Sequence, residues 1–400
     1  WEMPVLYAGI VEEHEAVRKA AGLFDVSHMG VLEIEGEHAT RFLDLVLTNA
    51  ADRVSVGYSQ YNYVLDPDGH AIDDLLIYRR APDRYMMVVN ASNAEKVRDW
   101  LFAVNSREVV IDRDHPGRRI EHPVTLRDLK DPKHGGACRV DLALQGPKSL
   151  AVLLELAQDE PTRQALRSLR RAALCEVTLL GLPLVVSRTG YTGEEVGFEI
   201  FVHPQEAPKL WAALLEAGKA HGLKPCGLGS RDSTRTEAGF PLYGHELGGR
   251  FAISPTEAGY GGFFKRFKPF FVGKRPYLAR EEKRTMKVVR FRMNASGKAV
   301  RPEDPVVSPK GKHIGNVTSC TLVNGVQLGL ALVTRQSGQE GKPFFVVNLP
   351  RTDSAKAEKT RSMAELTVGD AVTLPQEATV ISRFRKPGEV IAPGVGLGES

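Results

Sequence analysis

The sequence has few cysteines and lacks the common motifs for metals and nucleotides. Its four cysteines are widely spaced, with no Cys-x-x-Cys pair and no Cys/His cluster: Cys138, Cys175, Cys226 and Cys320. This spacing argues against a metal site and favours a reducing compartment. Neither a Gly-Lys-Ser/Thr ending of a Walker A loop nor a Gly-x-Gly-x-x-Gly fingerprint is present. The usual phosphate-binding loops are therefore excluded.

Strong net charge and long apolar runs are also absent. Lysine and arginine number 53 against 49 aspartates and glutamates, which gives a net charge of +4. This mild excess suits an acidic partner or an anionic substrate, but it does not predict binding to nucleic acid. No stretch approaches the roughly 18 apolar residues of a membrane-spanning helix, so we expect no membrane insertion.

The periodicity of apolar residues predicts alternating helices and antiparallel strands. Helices are expected in the stretches 9–24 (closed by Gly22), 37–49, 92–105 and 207–222, and a three-strand meander over 59–90. This alternation indicates an α+β fold rather than a doubly wound parallel sheet. The polar stretch 112–137 is interpreted as a long surface loop or insertion. Short strands with turn signals predict a small β-barrel or sandwich domain over 288–390.

The middle strand of the meander, "AIDDLLIYRR" (71–80), carries two adjacent acids among apolar residues. Because alternate side chains of a strand share a face, Asp73 and Asp74 point to opposite faces, and we expect a different partner for each. Both faces are otherwise apolar or aromatic, which indicates a strand covered on both sides. Since a buried carboxylate must be hydrogen-bonded or paired, a structural network and a ligand-facing acid both remain open, with Asp74 the better ligand candidate.

Two later stretches add polar groups that suit a binding site. In "SRTGYTGEEVGFEI" (187–200), three glycines permit sharp turns and close approach of a ligand, and Glu199 is an acid inside an apolar strand. A fixed carboxylate suits a ring that offers two adjacent N–H donors, although a plain turn between strands is the alternative. In "GLGSRDSTRTEAG" (227–239), Arg231, Asp232 and Arg235 fall near one face of a short helix, where ordinary ion pairs are the alternative.

Together these motifs resemble the folate-binding aminomethyltransferase family of the glycine cleavage system, whose member is the T-protein. The resemblance is carried by several motifs in order, which are "WEMP" (1–4), "GLFDVSHMG" (22–30), "AIDDLLIY" (71–78), "VVNASN" (88–93), "LQGPK" (144–148), "SRTGYTGEEVGFEI" (187–200), "GLGSRDSTRTEAG" (227–239) and "LYGHEL" (242–247). It implies a multi-domain, cloverleaf-like α+β fold around a central folate channel. Residues 1–280 would form two interleaved subdomains, and 288–390 a C-terminal β-barrel.

The resemblance also implies the site residues. Asp74 falls on the family's catalytic aspartate, with Arg231 beside it, while Asp73 would be structural. The positions expected to bind tetrahydrofolate are Met29, Tyr61, Tyr78, Asn90, Tyr191, Glu199, Arg231 and Arg385, with Arg383 as the alternative to Arg385. No metal is expected.

The implied reaction moves a one-carbon unit from an aminomethyl group on a lipoylated carrier protein to tetrahydrofolate and releases ammonia. It would take place in the cytoplasm of a bacterium or archaeon, or in the mitochondrial matrix of a eukaryote. The sequence departs from the family at His245, in the stretches 112–137 and 349–367, and ahead of "WEMP". Because these departures concern recognition of the donor, a folate-dependent demethylase and a non-catalytic folate-binding protein remain alternatives.

Overall fold

The computed structural model describes residues 2–348 and 374–392, so Trp1 and the insertion 349–367 lie outside the described residues. The chain divides into two compact units, Trp1–Arg284 and Thr285–Ser400. The helices of the described part all lie in the first unit, and none is long and apolar enough to cross a membrane. They are α1 (Ile10–Lys19), α2 (Ala39–Val46), α3 (Ala94–Asn105), α4 (Ser149–Leu156), α5 (Glu160–Ser168), α6 (Ala207–Gly218), α7 (Leu228–Ala238) and α8 (Lys274–Glu281).

The first unit contains two sheets. The strands are β1 (Ala21–Asp25), β2 (Gly30–Glu35), β3 (Tyr58–Leu65), β4 (Ala71–Ala81), β5 (Arg84–Val89), β6 (Thr125–Asp128), β7 (Val140–Gln145), β8 (Leu174–Leu179), β9 (Leu182–Ser187), β10 (Gly197–Val202) and β11 (Leu223–Cys226). One sheet has six strands in the order β11-β1-β7-β10-β9-β8, and the other has five in the order β3-β4-β5-β2-β6. The predicted meander is confirmed as β3-β4-β5, which are paired antiparallel.

Each sheet is covered by helices on one face and meets the other sheet on the second face. Apolar side chains of α2 and α3 pack on the five-stranded sheet, and those of α4, α5 and α6 pack on the six-stranded sheet. Between the sheets lies a smaller apolar cluster, in which the rings of Tyr78 and Phe201 are 5.3 Å apart. The strands are therefore buried on both faces, and polar side chains between the sheets must be satisfied there.

Two predicted boundaries differ from the structure. The stretch 112–137 is not a loop throughout, because its residues Thr125–Asp128 form β6 and pair antiparallel with β2 at the edge of the sheet. Helix α1 ends at Lys19, and Gly22 lies in β1 instead of closing the helix. Gly22 is packed so tightly that an added Cβ would lie 2.5 Å from a methyl carbon of Val17 and 2.7 Å from the sulfur of Cys226. Close packing explains this glycine better than a helix cap does.

The second unit is a closed six-stranded barrel in the order β12-β15-β14-β13-β16-β17. Its strands are β12 (Met286–Met293), β13 (Pro305–Val307), β14 (His313–Val323), β15 (Val326–Thr334), β16 (Pro343–Val346) and β17 (Gln376–Ile381). Neighbouring strands are antiparallel, and the interior is filled by apolar side chains, including the edge-to-face pair Phe291 and Phe344. The predicted fold class, α+β with a C-terminal β-barrel, is confirmed.

Candidate active site

A cavity of about 450 Å³ lies in the first unit, lined by residues of both sheets. Aromatic side chains form part of its wall, and the rings of Tyr260 and Phe263 lie 5.5 and 4.8 Å from the ring of Tyr61. Seven of the predicted site residues line it: Met29, Tyr61, Asp74, Asn90, Tyr191, Glu199 and Arg231. The fold thus brings together residues that are up to 202 positions apart in the chain (231 − 29 = 202). This size and this mixture of apolar walls with a few polar groups suit a small organic ligand.

Asp74 is half-buried in the cavity wall, and both of its carboxyl oxygens accept hydrogen bonds. The hydroxyl of Tyr61 donates to Oδ2 at 2.7 Å, and Nδ2 of Asn90 donates to Oδ1 at 3.0 Å. Burial raises the pKa of Asp74 above its usual value, while these two donors act in the opposite direction. The carboxyl is therefore held in one orientation and titrates closer to neutrality than a surface aspartate.

Asp73 is fully buried on the other face and belongs to a separate cluster of amides. It accepts hydrogen bonds from the backbone N–H of Asn90 at 2.9 Å, from Nδ2 of Asn90 at 2.8 Å and from Nδ2 of Asn93 at 2.7 Å. Burial and the charge of Asp74 raise the pKa of Asp73 to about 7. The expectation of a different partner for each acid is wrong, because the Asn90 amide donates to Asp73 and to Asp74 from the end of β5.

Glu199 reaches the cavity from β10 in the opposite sheet and is itself positioned by two hydroxyl groups. The hydroxyl of Tyr78 donates to Oε2 at 2.7 Å, and the hydroxyl of Thr189 donates to the same oxygen. Tyr78 is fully buried and is not among the residues that line the cavity, which differs from the predicted role in contacting folate. It supports Glu199 from behind, across the space between the sheets.

The glycine-rich bend between β9 and β10 is packed around the side chain of Gln145. An added Cβ would lie 1.9 Å from Oε1 of Gln145 at Gly190 and 2.5 Å from it at Gly197. Nε2 of Gln145 donates to the carbonyl of Thr189 at 3.1 Å. Sequence reasoning expected close approach of a ligand at these glycines, but the group that approaches most closely is this glutamine. Gln145 therefore fixes the bend that carries Tyr191 and leads to Glu199.

Arg231 lies on α7, whose first turn is anchored to Glu13 in the first turn of α1. Oε2 of Glu13 accepts hydrogen bonds from the backbone N–H of Gly227 at 2.8 Å and from the hydroxyl of Ser230 at 2.9 Å. The guanidinium of Arg231 lies 5.1 Å from the centre of the Tyr191 ring. It forms no salt bridge with a carboxylate in the described part of the chain. Its charge therefore remains available to a ligand in the cavity.

Arg235, one turn further along α7, is structural. Its guanidinium is fully buried and pairs with the buried Glu246 at 2.7 Å and with Asp232. Among Arg231, Asp232 and Arg235, only Arg231 lines the cavity. Ordinary ion pairing thus explains Arg235, whereas Arg231 has the geometry of a ligand-facing group. Arg383 and Arg385 follow β17 in the second unit, and their contact with a folate stays a prediction.

Several lining residues were missed by sequence reasoning, among them Arg171, Arg188, Tyr260 and, most deeply buried of the acids, Asp141. Asp141 lies in β7, is 2% exposed and lines the cavity. The signal was available, because "RVDLALQ" places a single acid inside an apolar strand, the same pattern that pointed to Asp74 and Glu199. The motif "LQGPK" (144–148), which carries part of the resemblance, begins three residues after this acid and does not include it.

Comparison with known proteins agrees with the fold and identifies the family. The family model described as the GCVT N-terminal domain matches residues 1–268. An aminomethyltransferase of Alkaliphilus metalliredigens is 38% identical over 364 residues, 90% of each chain. One of Bacillus subtilis is 37% identical over 363 residues, 90% of this chain and 92% of the other.

Solved structures give the same result. A crystal structure of glycine cleavage system aminomethyltransferase T from Bartonella henselae matches with a TM-score of 0.74 and 26% identity, over 96% of this chain and 91% of the other. The predicted family and the predicted class of enzyme, an aminomethyltransferase, are thereby confirmed. The chain belongs to the aminomethyltransferase family defined by the GCVT N-terminal domain.

Proposed function

We propose that the cavity binds tetrahydrofolate and that the protein transfers to it an aminomethyl-derived one-carbon unit from a lipoylated carrier protein, releasing ammonia. The observation that carries this proposal is the arrangement of Asp74, Glu199 and Arg231 around one cavity with aromatic walls. Membership of the aminomethyltransferase family supports the same reaction class. The cavity volume of about 450 Å³ is in the range of small-molecule sites.

The donors and acceptors of the cavity fit a folate. Glu199, held by Tyr78 and Thr189, presents a fixed carboxylate to two adjacent N–H groups such as those on the pyrimidine edge of a pterin. The carboxyl group of the buried Asp141 also lines the cavity and is a further polar group that a ligand would contact. Apolar and aromatic side chains, among them Met29 and Tyr61, would pack against the ring faces.

Asp74 is proposed as the catalytic carboxylate. Bound tetrahydrofolate would supply the ring nitrogen that accepts the one-carbon unit. As ammonia leaves, positive charge develops near the reacting carbon, and a carboxylate already oriented in a water-poor cavity stabilises that charge without reorganising. Tyr61 and Asn90 keep both oxygens of Asp74 in place, so Asp74 is also suited to hold or take a proton.

Arginines are proposed to complete the site. Arg231 would balance negative charge on the bound substrates and orient them, because its guanidinium has no carboxylate partner in the described residues. From the family resemblance, Arg385, with Arg383 as the alternative, is proposed to contact the folate. The net charge of +4 suits an acidic carrier protein and adds modest electrostatic attraction.

The test is a product assay. The purified protein is mixed with tetrahydrofolate and a lipoyl carrier loaded with the aminomethyl group, and ammonia and methylenetetrahydrofolate are measured over time. We expect the two products in equal amounts, and neither when the carrier is omitted. The carrier alone with tetrahydrofolate serves as the control for uncatalysed transfer.

Two outcomes would contradict the proposal. Tetrahydrofolate that binds without formation of either product would point to a non-catalytic folate-binding protein. Formation of 5-methyltetrahydrofolate from an O-, S- or N-methylated compound would identify a demethylase, because the oxidation state of the product distinguishes the two reactions.

A further inference from the structure

Asp141 is a buried carboxyl group that faces the cavity and is only partly satisfied by the protein. It lies in the middle of the six-stranded sheet, on β7, and is 2% exposed. Asp141 lines the cavity, and its Oδ1 atom, which is closed off from solvent, has no hydrogen-bond partner within the described residues, so a ligand would have to contact the carboxyl group through its other oxygen. Buried polar groups are rarely left without hydrogen bonds, and a bound ligand is one way to supply them.

Asp141 lies close to Glu199. In the register of β7 and β10, Asp141 faces Phe201 and Ala143 faces Glu199, so the two acids are diagonal neighbours on one face of the sheet. Other groups that act on Asp141 are Arg231 from α7, the backbone N–H of Ile200 on β10, Lys130 from the segment after β6 and the hydroxyl of Tyr78 from β4. Two carboxyl groups thus share a water-poor space.

The surroundings favour the neutral form of Asp141. Burial, and then the negative charge of Glu199, raise the pKa of Asp141 well above its usual value, while Arg231 and Lys130 act in the opposite direction. A neutral carboxyl group can donate one hydrogen bond, which an ionised one cannot. Glu199 and Asp141 together then offer an acceptor beside a donor.

We propose that Asp141 is a second ring-recognising residue, which donates a hydrogen bond to a ring carbonyl of the substrate while Glu199 accepts from the adjacent N–H groups. This inference rests on the proposed function and deepens it. The chemical class recognised is a 2-amino-4-oxo pyrimidine fused to a second ring, because its edge presents an amino group, a ring N–H and a carbonyl oxygen in sequence. A single ionised carboxylate matches the first two groups, and the neutral acid matches the third.

The proposal predicts discrimination by the group at ring position 4. An analogue with an amino group in place of the carbonyl would present a donor to the donor of Asp141. It also lacks the neighbouring ring N–H that Glu199 accepts from, so the variants below are needed to separate the contribution of Asp141. A site built to satisfy a particular hydrogen bond rejects a ligand that cannot make it, so we expect the wild-type protein to bind the 4-oxo compound at least tenfold more tightly.

The test compares Asp141→Leu with Asp141→Asn. Both are close to aspartate in size, but only asparagine retains a hydrogen-bond donor. The dissociation constants of tetrahydrofolate and of its 4-amino-4-deoxy analogue are measured by calorimetry between pH 6 and 9. We expect Asp141→Leu to weaken tetrahydrofolate binding at least tenfold and to change binding of the analogue by less than threefold.

Asp141→Asn provides the matched control. Its dissociation constant for tetrahydrofolate is expected to lie within about threefold of the wild-type value. In the wild type, binding should weaken as pH rises and Asp141 ionises, whereas binding by Asp141→Asn should not depend on pH in this way. Thermal unfolding of each variant without ligand checks that the fold is intact. If Asp141→Leu binds tetrahydrofolate as tightly as the wild type, the inference is overturned while the proposed function stands. If the wild type itself does not bind tetrahydrofolate, the proposed function fails and this inference fails with it.

Discussion

The hydrogen bond from Tyr61 to Asp74 provides the sharpest test of the catalytic assignment. Its oxygen atoms are 2.7 Å apart, and it stabilises the ionised form of Asp74 inside the cavity. A hydrogen bond to a charged group contributes about 1.5–3 kcal/mol. Removing this hydrogen bond in Tyr61→Phe should raise the pKa of Asp74. Since one pH unit corresponds to about 1.4 kcal/mol, the acidic limb of the pH–rate profile should shift to higher pH by about one to two units.

The direction follows from the role of the carboxylate. Asp74 is proposed to act in its ionised form, so the rate falls as the pH drops through its pKa. In Tyr61→Phe, Asp74 stays protonated up to a higher pH. The rate of this variant should come within a few-fold of the wild-type rate only at pH values well above the shifted pKa of Asp74. The assay is ammonia release from the loaded carrier at saturating tetrahydrofolate, between pH 5 and 9.

Tyr63→Phe is the matched control. Tyr63 faces Asp74 across β3 and β4, and its ring is 5.3 Å from that of Tyr61. Its hydroxyl makes no hydrogen bond to Asp74 and acts on that carboxyl only through proximity, so the same chemical change should move the rate profile much less than Tyr61→Phe does. An acidic limb that stays fixed in Tyr61→Phe, or that moves equally in both variants, would refute the role of Asp74 as the titrating carboxylate.

Three further predictions follow from other contacts. Asp74→Asn should lower turnover at least a hundredfold while tetrahydrofolate still binds within about threefold by calorimetry, and near-normal turnover would remove Asp74 from the mechanism. Arg235→Met leaves the buried Glu246 without its main counter-charge, so chemical denaturation should show a loss of about 3–5 kcal/mol of unfolding free energy, and an unchanged midpoint would contradict the pairing. Asp73 has a folded pKa of about 7 against 3.8 in the unfolded chain, so its contribution to stability is full below about pH 3.8 and is lost as pH rises through 7. The unfolding temperature of the wild type should therefore fall relative to that of Asp73→Asn between pH 5 and 8, and parallel curves would refute the shift.

Local patterns in the sequence identified much of the fold. The repeat of apolar residues placed α2, α3 and α6 and the strands of the meander, because a helix or a strand must turn its apolar side chains to one side or to alternate sides. The same alternation separated Asp73 from Asp74 and directed attention to acids inside apolar strands. Patterns of this kind need only neighbouring residues, and so they can be read without knowledge of what packs against them.

The sharing of partners was decided by tertiary structure. Asn90 lies 16 residues after Asp74 in the chain, yet its amide bridges both acids because β4 and β5 are adjacent in the sheet. Tyr78 was expected to bind tetrahydrofolate, but because β10 lies opposite β4 its hydroxyl donates to Glu199 and supports that carboxylate instead. Such contacts depend on the distance between elements, which the local sequence does not specify.

The sequence by itself thus determined which residues are acidic, aromatic or apolar on each face, and it gave the family through the order of its motifs. Only the packing of the two sheets brought Asp74 to the same cavity as Glu199 and Asp141, and only the pairing of β7 with β10 placed Gln145 in the space left by Gly190 and Gly197. The physical reason is that burial and neighbouring charge, which set the pKa and the available hydrogen bonds of each group, arise from residues far apart in the chain.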